Sequence, residues 1–366
     1  MQCFQAVSGI KIGDNRKKGC CSRTPVSFGE LENRSLEILE IEEVARNIFR
    51  IPVRLPENPL RALNSYLIRD TERSLLVDAG FRHEKCREDI MAGFASLGLD
   101  ISEIDIYLTH MHADHSGLAS SIAGRGRRIY ISAADLSWLK DVISVDDNWE
   151  RFNSRYVGAS MPESIIKNMA EINPAIKMSA APGSHEYTKL YEGDTLSAGG
   201  YAFRCVATPG HTPGHMCLWS EETGVMFTGD HVLFDITPNI TSWPSVEDSL
   251  GEYLESLKAV REYPVKTALP GHRNTGDFHA RIDELIEHHR RRLAEIVDIV
   301  SGNPGISTYE IAGKMKWRIR AVNWDEFPGA QKIFAVGECM SHLDYLCLRG
   351  KISRKREAGV DRYSSV

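Results

Sequence analysis

From about residue 36, short apolar runs that end in polar turns alternate with longer segments whose apolar residues recur at helical spacing. "NSYLIRD" (64–70) and "SLLVDAG" (74–80) read as paired strands. "KCREDIMAGFASLGLD" (85–100) reads as a helix with glycines late in the run. "IDIYLTH" (104–110) is a strand, "GLASSIA" (117–123) the start of a helix, and "RIYISAADLSWL" (128–139) a strand leading into a helix. "GYAFRCVATPGH" (200–211), "HMCLWSEETGVMFTGD" (215–230) and "VKTALPGH" (265–272) each end in His or Asp just after an apolar run, and "SEETGV" is a hairpin-type turn. Strands alternating with helices place the chain in the α/β class.

Three further segments depart from this rhythm. Residues 1–34 are rich in Gly, Lys, Arg, Ser and Cys without a period, and predict an irregular N-terminal arm. Between 137 and 187 lies a helical insertion, with "WLKDVISVDDNWERFNSRY" and "MPESIIKNMAEINPAIKM" as helices broken between Gly158 and Pro162. Its Trp138, Trp149, Phe152, Tyr156, Met161 and Met169 either pack as core or line a pocket. Residues 279–301 form a long amphipathic helix through Ile282, Leu285, Ile286, His289, Leu293, Ile296, Val297 and Val300. Ser307 and Glu310 are placed as a capping box, "GAQKIFAVGECMSHLDYLCLRG" is a helix stopped by Gly350, and the last residues read as a hairpin turning near Gly359. Helix, helix and hairpin suggest a small, mostly helical winged-helix-like domain over 281–366, behind a main domain over 35–280.

Composition narrows the partners. A chain of 366 residues with 42% hydrophobic content can bury a sizeable core. Its formal net charge of −6 argues against a surface devoted to nucleic acid. Residues 290–366, however, hold 14 Lys and Arg against 9 Asp and Glu, a basic strip on an acidic body. The eight cysteines form no C-x-x-C pair, and no secretory pattern or long apolar run is evident. The expectation is a reduced, cytoplasmic protein that does not enter a membrane.

The chemistry concentrates in "THMHADHSG" (109–117), between a strand and a helix, where ligand sites gather in α/β proteins. Neutral imidazoles and carboxylates are the usual ligands of zinc and its neighbours. His110 and His112, two apart on an extended loop, can point the same way, while Asp114 and His115 face a second ion. His211, Asp230 and His272 follow later strands through glycine-containing turns that permit close backbone approach. His110, His112 and His211 then hold one ion, and Asp114, His115 and His272 the other. Asp230 lies between them.

This order of H-x-H-x-D-H followed by His, Asp and His resembles the metallo-β-lactamase-fold hydrolase superfamily over about residues 40–280. The resemblance implies an αββα sandwich, two sheets packed face to face with helices outside. It also implies that Asp78, ending "LLVD", is a structural residue near the metals, and that His215 is structural rather than a ligand. His231 is open between pocket and packing. His83, His185, His279, His288, His289 and His342 read as surface or packing residues.

Two divalent cations, zinc by default with iron or manganese also fitting, would lower the pKa of a shared water to near 7 and polarise a carbonyl. Asp114 and Asp230 are the candidate catalytic carboxylates. In this resemblance the true β-lactamases carry Cys where Asp230 stands, and the diiron oxygen reductases carry Glu where His112 stands. The ligand set is similar to those of glyoxalase II, lactonases and thioesterases. The expected function is therefore hydrolysis of a small ester, thioester or lactone. Two alternatives stay open: a phosphodiesterase or endoribonuclease of the same fold, and a non-enzymatic winged-helix nucleic-acid-binding protein. A homodimer is compatible with the sequence.

Overall fold

The computed structural model describes residues 40–144, 147–169, 178–179, 185–317 and 323–366. The N-terminal arm with Cys3, Cys20 and Cys21, the side chain of Trp149, and residues 170–177 of the second insertion helix lie outside the described residues.

The first sheet carries seven strands side by side in chain order: β1 (Glu42–Ala45), β2 (Ile48–Arg54), β3 (Ala62–Ile68), β4 (Ser74–Val77), β5 (Ile104–Tyr107), β6 (Ile129–Ser132) and β7 (Tyr187–Leu190). Its first four strands are antiparallel, and β4 to β7 run parallel. Parallel neighbours need crossovers. These are α1 (Glu84–Ser96), the short helices α2 (Ala113–Ser116) and α3 (Ala119–Ile122), and an excursion through α4 (Ala133–Ser144), α5 (Asp147–Gly158) and α6 (Glu163–Lys167). The first insertion segment is helical on either side of residues 145–146, which lie outside the described residues.

The second sheet comprises β8 (Thr195–Ala198), β9 (Tyr201–Ala207), β10 (Met216–Ser220), β11 (Val225–Gly229) and β12 (Thr267–Pro270), in the order β12-β11-β10-β9-β8. The β10–β11 hairpin turns at the "SEETGV" stretch, with Ser220 opposite Val225. Helix α7 (Ser249–Arg261) returns the chain to lay β12 parallel to β11.

Side chains alternate across each strand, and both faces of both sheets are apolar. Tyr66, Ile68, Leu75, Val77 and Tyr107 of the first sheet meet Phe203, Cys205, Met216, Leu218, Phe227 and Leu269 of the second. The intervening Leu63, Leu67, Leu76 and Ile106 face outward onto Ile90 and Phe94 of α1. Val206, Cys217, Trp219 and Met226 face outward onto Leu250, Tyr253 and Leu257 of α7. Two sheets covered on both sides by helices make an αββα sandwich.

After β12 come α8 (Phe278–Gly302), β13 (Ile306–Ser307), α9 (Thr308–Lys314), α10 (Gly329–Leu348), β14 (Ile352–Glu357) and β15 (Val360–Ser365). Ser307 and Glu310 form the reciprocal capping box that starts α9. The hairpin turns at Ala358 and Gly359, both with positive φ, as tight hairpins favour. β15 lies between β14 and β13. Helix α8 belongs to two cores. Its Phe278, Ile282 and Leu285 pack with α7, while Ile296 and Val300 pack with α9, α10, Ile352 and Tyr363. Phe152, Tyr156, Met161 and Met169 of the insertion join this second core, and Trp138 joins the core beneath α1. Among the described residues no helix is long and apolar enough to cross a membrane.

Phe227 is fully buried between the sheets, edge-on to Tyr66 and Phe203 at 5.4 Å. Phe227→Ala is expected to lower unfolding free energy by about 3–5 kcal/mol, the cost of such a cavity. Urea denaturation with an unchanged slope would register it.

Candidate metal centre

β5 delivers His110 to one end of the sandwich, just beyond Asp78 at the end of the neighbouring β4. Asp78 sits at φ 60, unusual for a residue with a side chain. Its carboxylate explains that conformation. It accepts the Thr109 backbone N–H at 2.9 Å and the Thr109 hydroxyl at 2.8 Å, and lies 2.7 Å from His115 Nδ1. Asp78 thereby orients the His115 ring, with Nε2 left to face the site. His112 caps α2 with a non-helical backbone, and Asp114 and His115 stand on the helical turn that follows.

The remaining residues arrive from the second sheet. Asp230 follows β11 and His272 follows β12, two adjacent parallel strands. His211 lies in the turn between β9 and β10. Close approach needs glycine: a Cβ on Gly271 would stand 2.6 Å from Asp230 Oδ1 and 2.8 Å from His115 Cε1.

All seven candidate ligands are buried, and three overlapping sets have donor atoms within 4.8 Å of one another: His110, His112 and His211; His110, His115 and Asp230; Asp114, His115 and His272. His110 Nε2 is 3.0 Å from His112 Nδ1. His272 Nε2 is 3.2 Å from both His115 Nε2 and Asp114 Oδ2. Asp230 turns Oδ1 to His115 and His272, at 3.5 and 3.6 Å, and Oδ2 to His211 at 3.7 Å. Bond lengths near 2.0–2.1 Å around a tetrahedral ion put ligand atoms roughly 3.3 Å apart, and these separations match that spacing.

Unsatisfied atoms point the same way. His112 Nε2, His211 Nε2 and both carboxylate oxygens of Asp114 and Asp230 are buried without a hydrogen-bond partner. Buried polar atoms are normally paired; a divalent cation would satisfy His211 Nε2 and the carboxylate oxygens turned toward it, whereas His112 faces His110 through Nδ1 and its Nε2 points away. The opposite ring nitrogens are anchored: His211 Nδ1 lies 2.9 Å from the Asn239 carbonyl, His272 Nδ1 2.9 Å from the Ala62 carbonyl. Each carbonyl demands a proton there and frees the other nitrogen as a ligand.

Burial pushes His110 and His112 well below the ordinary imidazole value, and His211 down to about 4. Burial thus favours the neutral form, the form in which an imidazole can ligate a metal. Burial also disfavours charge on His115, but Asp114, Asp78 and Asp230 outweigh it and hold the ring above its ordinary value. His272 is raised against burial chiefly by Asp230 and Asp114. A cation bound by these two rings would compete with their protons.

His215 supports the site from behind. Its Nδ1 lies 2.7 Å from the Thr208 hydroxyl, and its Nε2 accepts the Asp230 backbone N–H at 3.2 Å. His231 is fully buried against Tyr253, with ring centroids 5.3 Å apart, and so does not line an open pocket. His289 and His342 pack against each other between α8 and α10, and His83 caps α1. Sequence reading missed Asp135, Asn239 and Trp243. Asp135 accepts from the Met111 N–H at 2.9 Å, the Thr212 hydroxyl at 2.7 Å and the Gly214 N–H at 2.6 Å, tying the two histidine loops together. Along the sequence it is indistinguishable from any acid in the first turn of a helix. The Trp243 ring stacks on His112 at 6.1 Å and donates its N–H to the His211 carbonyl at 3.2 Å.

This arrangement has known counterparts. The profile of the Metallo-beta-lactamase superfamily matches residues 59–272, and that of the Metallo-beta-lactamase-like C-terminal domain matches residues 325–366. The chain belongs to the metallo-β-lactamase superfamily. It is similar to a metallo-beta-lactamase family protein from Thermus thermophilus, at 25% identity and TM-score 0.76, covering 88% of this chain and 99% of that one. A beta-lactamase domain protein from Burkholderia ambifaria follows at 26% identity and TM-score 0.72, covering 89% and 95%. Among curated relatives, the Beta-lactamase-like protein 2 homolog of Caenorhabditis elegans is 24% identical over 85% of this chain and 88% of its own length. The Atrochrysone carboxyl ACP thioesterase AacuM of Aspergillus aculeatus is 24% identical over 66% of this chain, and the match spans 60% of that relative's length. Superfamily membership and the donor cluster together make this chain a metal-dependent hydrolase.

Two outcomes follow from the geometry. Gly271→Ala, which drives a methyl group against Asp230 and His115, is expected to purify with at least half its metal lost, measured by elemental analysis beside a normal circular dichroism spectrum. Metal affinity is expected to rise with pH, because deprotonation of His115 and His272, whose pKa values are raised in the metal-free site, removes the competing protons. Chelator competition between pH 6 and 8 would reveal it, and an affinity independent of pH would contradict the protonation scheme.

Proposed function

We propose that the chain is a binuclear hydrolase of a small ester, thioester or lactone. The observation that carries this reading is Asp230, whose two unsatisfied oxygens face two donor sets: His115 and His272 on one side, His211 on the other. In this reading His110, His112 and His211 hold one divalent cation, and Asp114, His115 and His272 the other. Zinc is the first choice, with iron or manganese suited to the same His and Asp donors. Bound there, the cations supply Lewis acidity and a nucleophile available at neutral pH.

The chain's own residues do the rest. Asp230 keeps the two donor sets in register. Asp114 needs one oxygen as a ligand, and the other is free to orient water or hold a proton on its way to the leaving group. Among the seven ligands only His112 retains exposure, at 5%, so substrate is expected to arrive beside it. Trp243 stands there, with Trp138 at 5.3 Å and Phe152 at 6.3 Å. An aromatic wall next to the cations suits an acyl group better than a phosphodiester backbone. The name of the thioesterase relative AacuM supports the acyl reading and puts thioesters first.

Residues 281–366 fit a winged-helix-like unit, with helix, strand, two helices and a hairpin in that order. RNA phosphodiester cleavage would draw on the hairpin's Arg354, Lys355 and Arg356, but these already pair with Asp344, Glu357 and Asp361. The free thiols of Cys86, Cys205, Cys217, Cys339 and Cys347 suit a reducing, cytoplasmic setting.

A panel of thioesters, lactones and phosphodiesters, assayed with metal analysis of the same preparation, tests the reading. Acyl substrates are expected to turn over with about two ions per chain. Asp230→Asn is expected to lower activity at least 100-fold and to deplete metal. Turnover of RNA alone, with salt-dependent RNA binding, would transfer the assignment to the phosphodiesterase reading.

A further inference from the structure

We infer that Glu338, on α10 and remote in sequence from every ligand, is a positioning residue for the metal ligand His211, acting through Asn239. The inference rests on the two-cation reading above. The connection is continuous. His211 Nδ1–H donates to the Asn239 carbonyl at 2.9 Å. The Asn239 side-chain amide donates to Glu338 Oε2 and to the Phe334 carbonyl, each at 3.3 Å, both on α10. Glu338 is buried, and its Oε1 lies 3.6 Å from Arg292 Nε on α8. Arg292 is itself fixed, with its guanidinium 4.1 Å from the Trp317 ring centroid and one N–H donated to the Lys316 carbonyl at 2.7 Å.

The segment between β11 and α7 contains no strand or helix, so its backbone course must be imposed from outside. Helix α10 does this at successive points. Besides the Glu338–Asn239 bond, Ser341 donates its hydroxyl to the Ile240 carbonyl at 2.6 Å, and Asp344 accepts from the Ser242 hydroxyl. The segment in turn presents the Asn239 carbonyl to one ring nitrogen of His211 and the Trp243 indole N–H to the His211 backbone carbonyl. A buried Glu–Arg pair is weak as a source of stability, since well-packed apolar residues would do as well or better. Holding a ligand's hydrogen-bond partner in place is a use that apolar residues could not serve. Partners of this kind typically change metal affinity by about 10–100-fold when removed.

The test uses the full chain and Co(II) as probe, with occupancy followed by chelator competition and the visible spectrum. Wild type is expected to bind two ions; fewer than two would count against the binuclear reading itself. Glu338→Ala is expected to weaken one ion about 10-fold or more and leave the other within about 3-fold. Glu338→Gln, whose amide oxygen still accepts from Asn239, is expected to restore binding to within about 3-fold of wild type. Asn239→Ala, which keeps its carbonyl but loses the anchor, is expected to match Glu338→Ala, and the double variant to be no worse than either. The circular dichroism spectrum checks the fold of each, and Glu338→Gln with Asn239→Ala carries the test if Glu338→Ala does not fold. Two ions bound at wild-type affinity by Glu338→Ala or Asn239→Ala would overturn the inference. So would a loss in Glu338→Gln equal to that in Glu338→Ala, which would assign the role to charge rather than to the acceptor.

Discussion

Five imidazoles and two carboxylates enclosed together, with six of their nitrogen and oxygen atoms unpaired, form an arrangement that a dry apolar interior does not tolerate. Each unpaired buried polar atom costs on the order of 1–3 kcal/mol. Like charges on neighbouring rings and carboxylates add to this unless each finds a counter-charge. Divalent metal binding would relieve both penalties together, and the rest of the molecule is the frame that keeps these donors converged.

The frame works because strand ends are fixed by what lies between the sheets. Alternating side chains commit every central strand to two buried faces, so a one-residue slip would exchange its two sets of contacts. Register is therefore rigid, and so are the turns at the strand ends. Asp78, Thr109, Asp230 and His272 sit on those turns. Asp135 and His215 then bind one turn to the next, Asp135 by accepting from both histidine loops and His215 by accepting the Asp230 backbone N–H.

The carboxy-terminal helices extend the frame. α8 passes from the core beneath the second sheet into a core shared by α9, α10 and the insertion. The insertion's described Phe152, Tyr156, Met161 and Met169 pack in this core, while Trp138 and Phe152 also reach Trp243 beside His112. Of the hairpin's basic residues, Arg354 pairs with Asp344 of α10, while Lys355 and Arg356, still exposed, lie beside Glu357 and Asp361. Their partners come from α10 and from the hairpin itself, and such pairing is invisible to a count of charges.

Strand ends carrying His or Asp, the Ser307–Glu310 cap, the long amphipathic helix and the tight final hairpin were all readable along the chain, because each depends on neighbours within a few positions. The crowding of His110, His112, Asp114 and His115 was readable for the same reason, and metal chemistry with it. Asp135, Asn239, Trp243 and Glu338 were not. Each acts through a partner 24 to 99 residues away, and nothing in its local pattern separates it from a helix-start acid, a loop amide, a packing ring or a buried salt bridge. Local spacing determined which side chains can bind cations. Only folding decided which of their second nitrogens find a carbonyl or carboxylate, because that depends on backbone groups that have no residue-type signature.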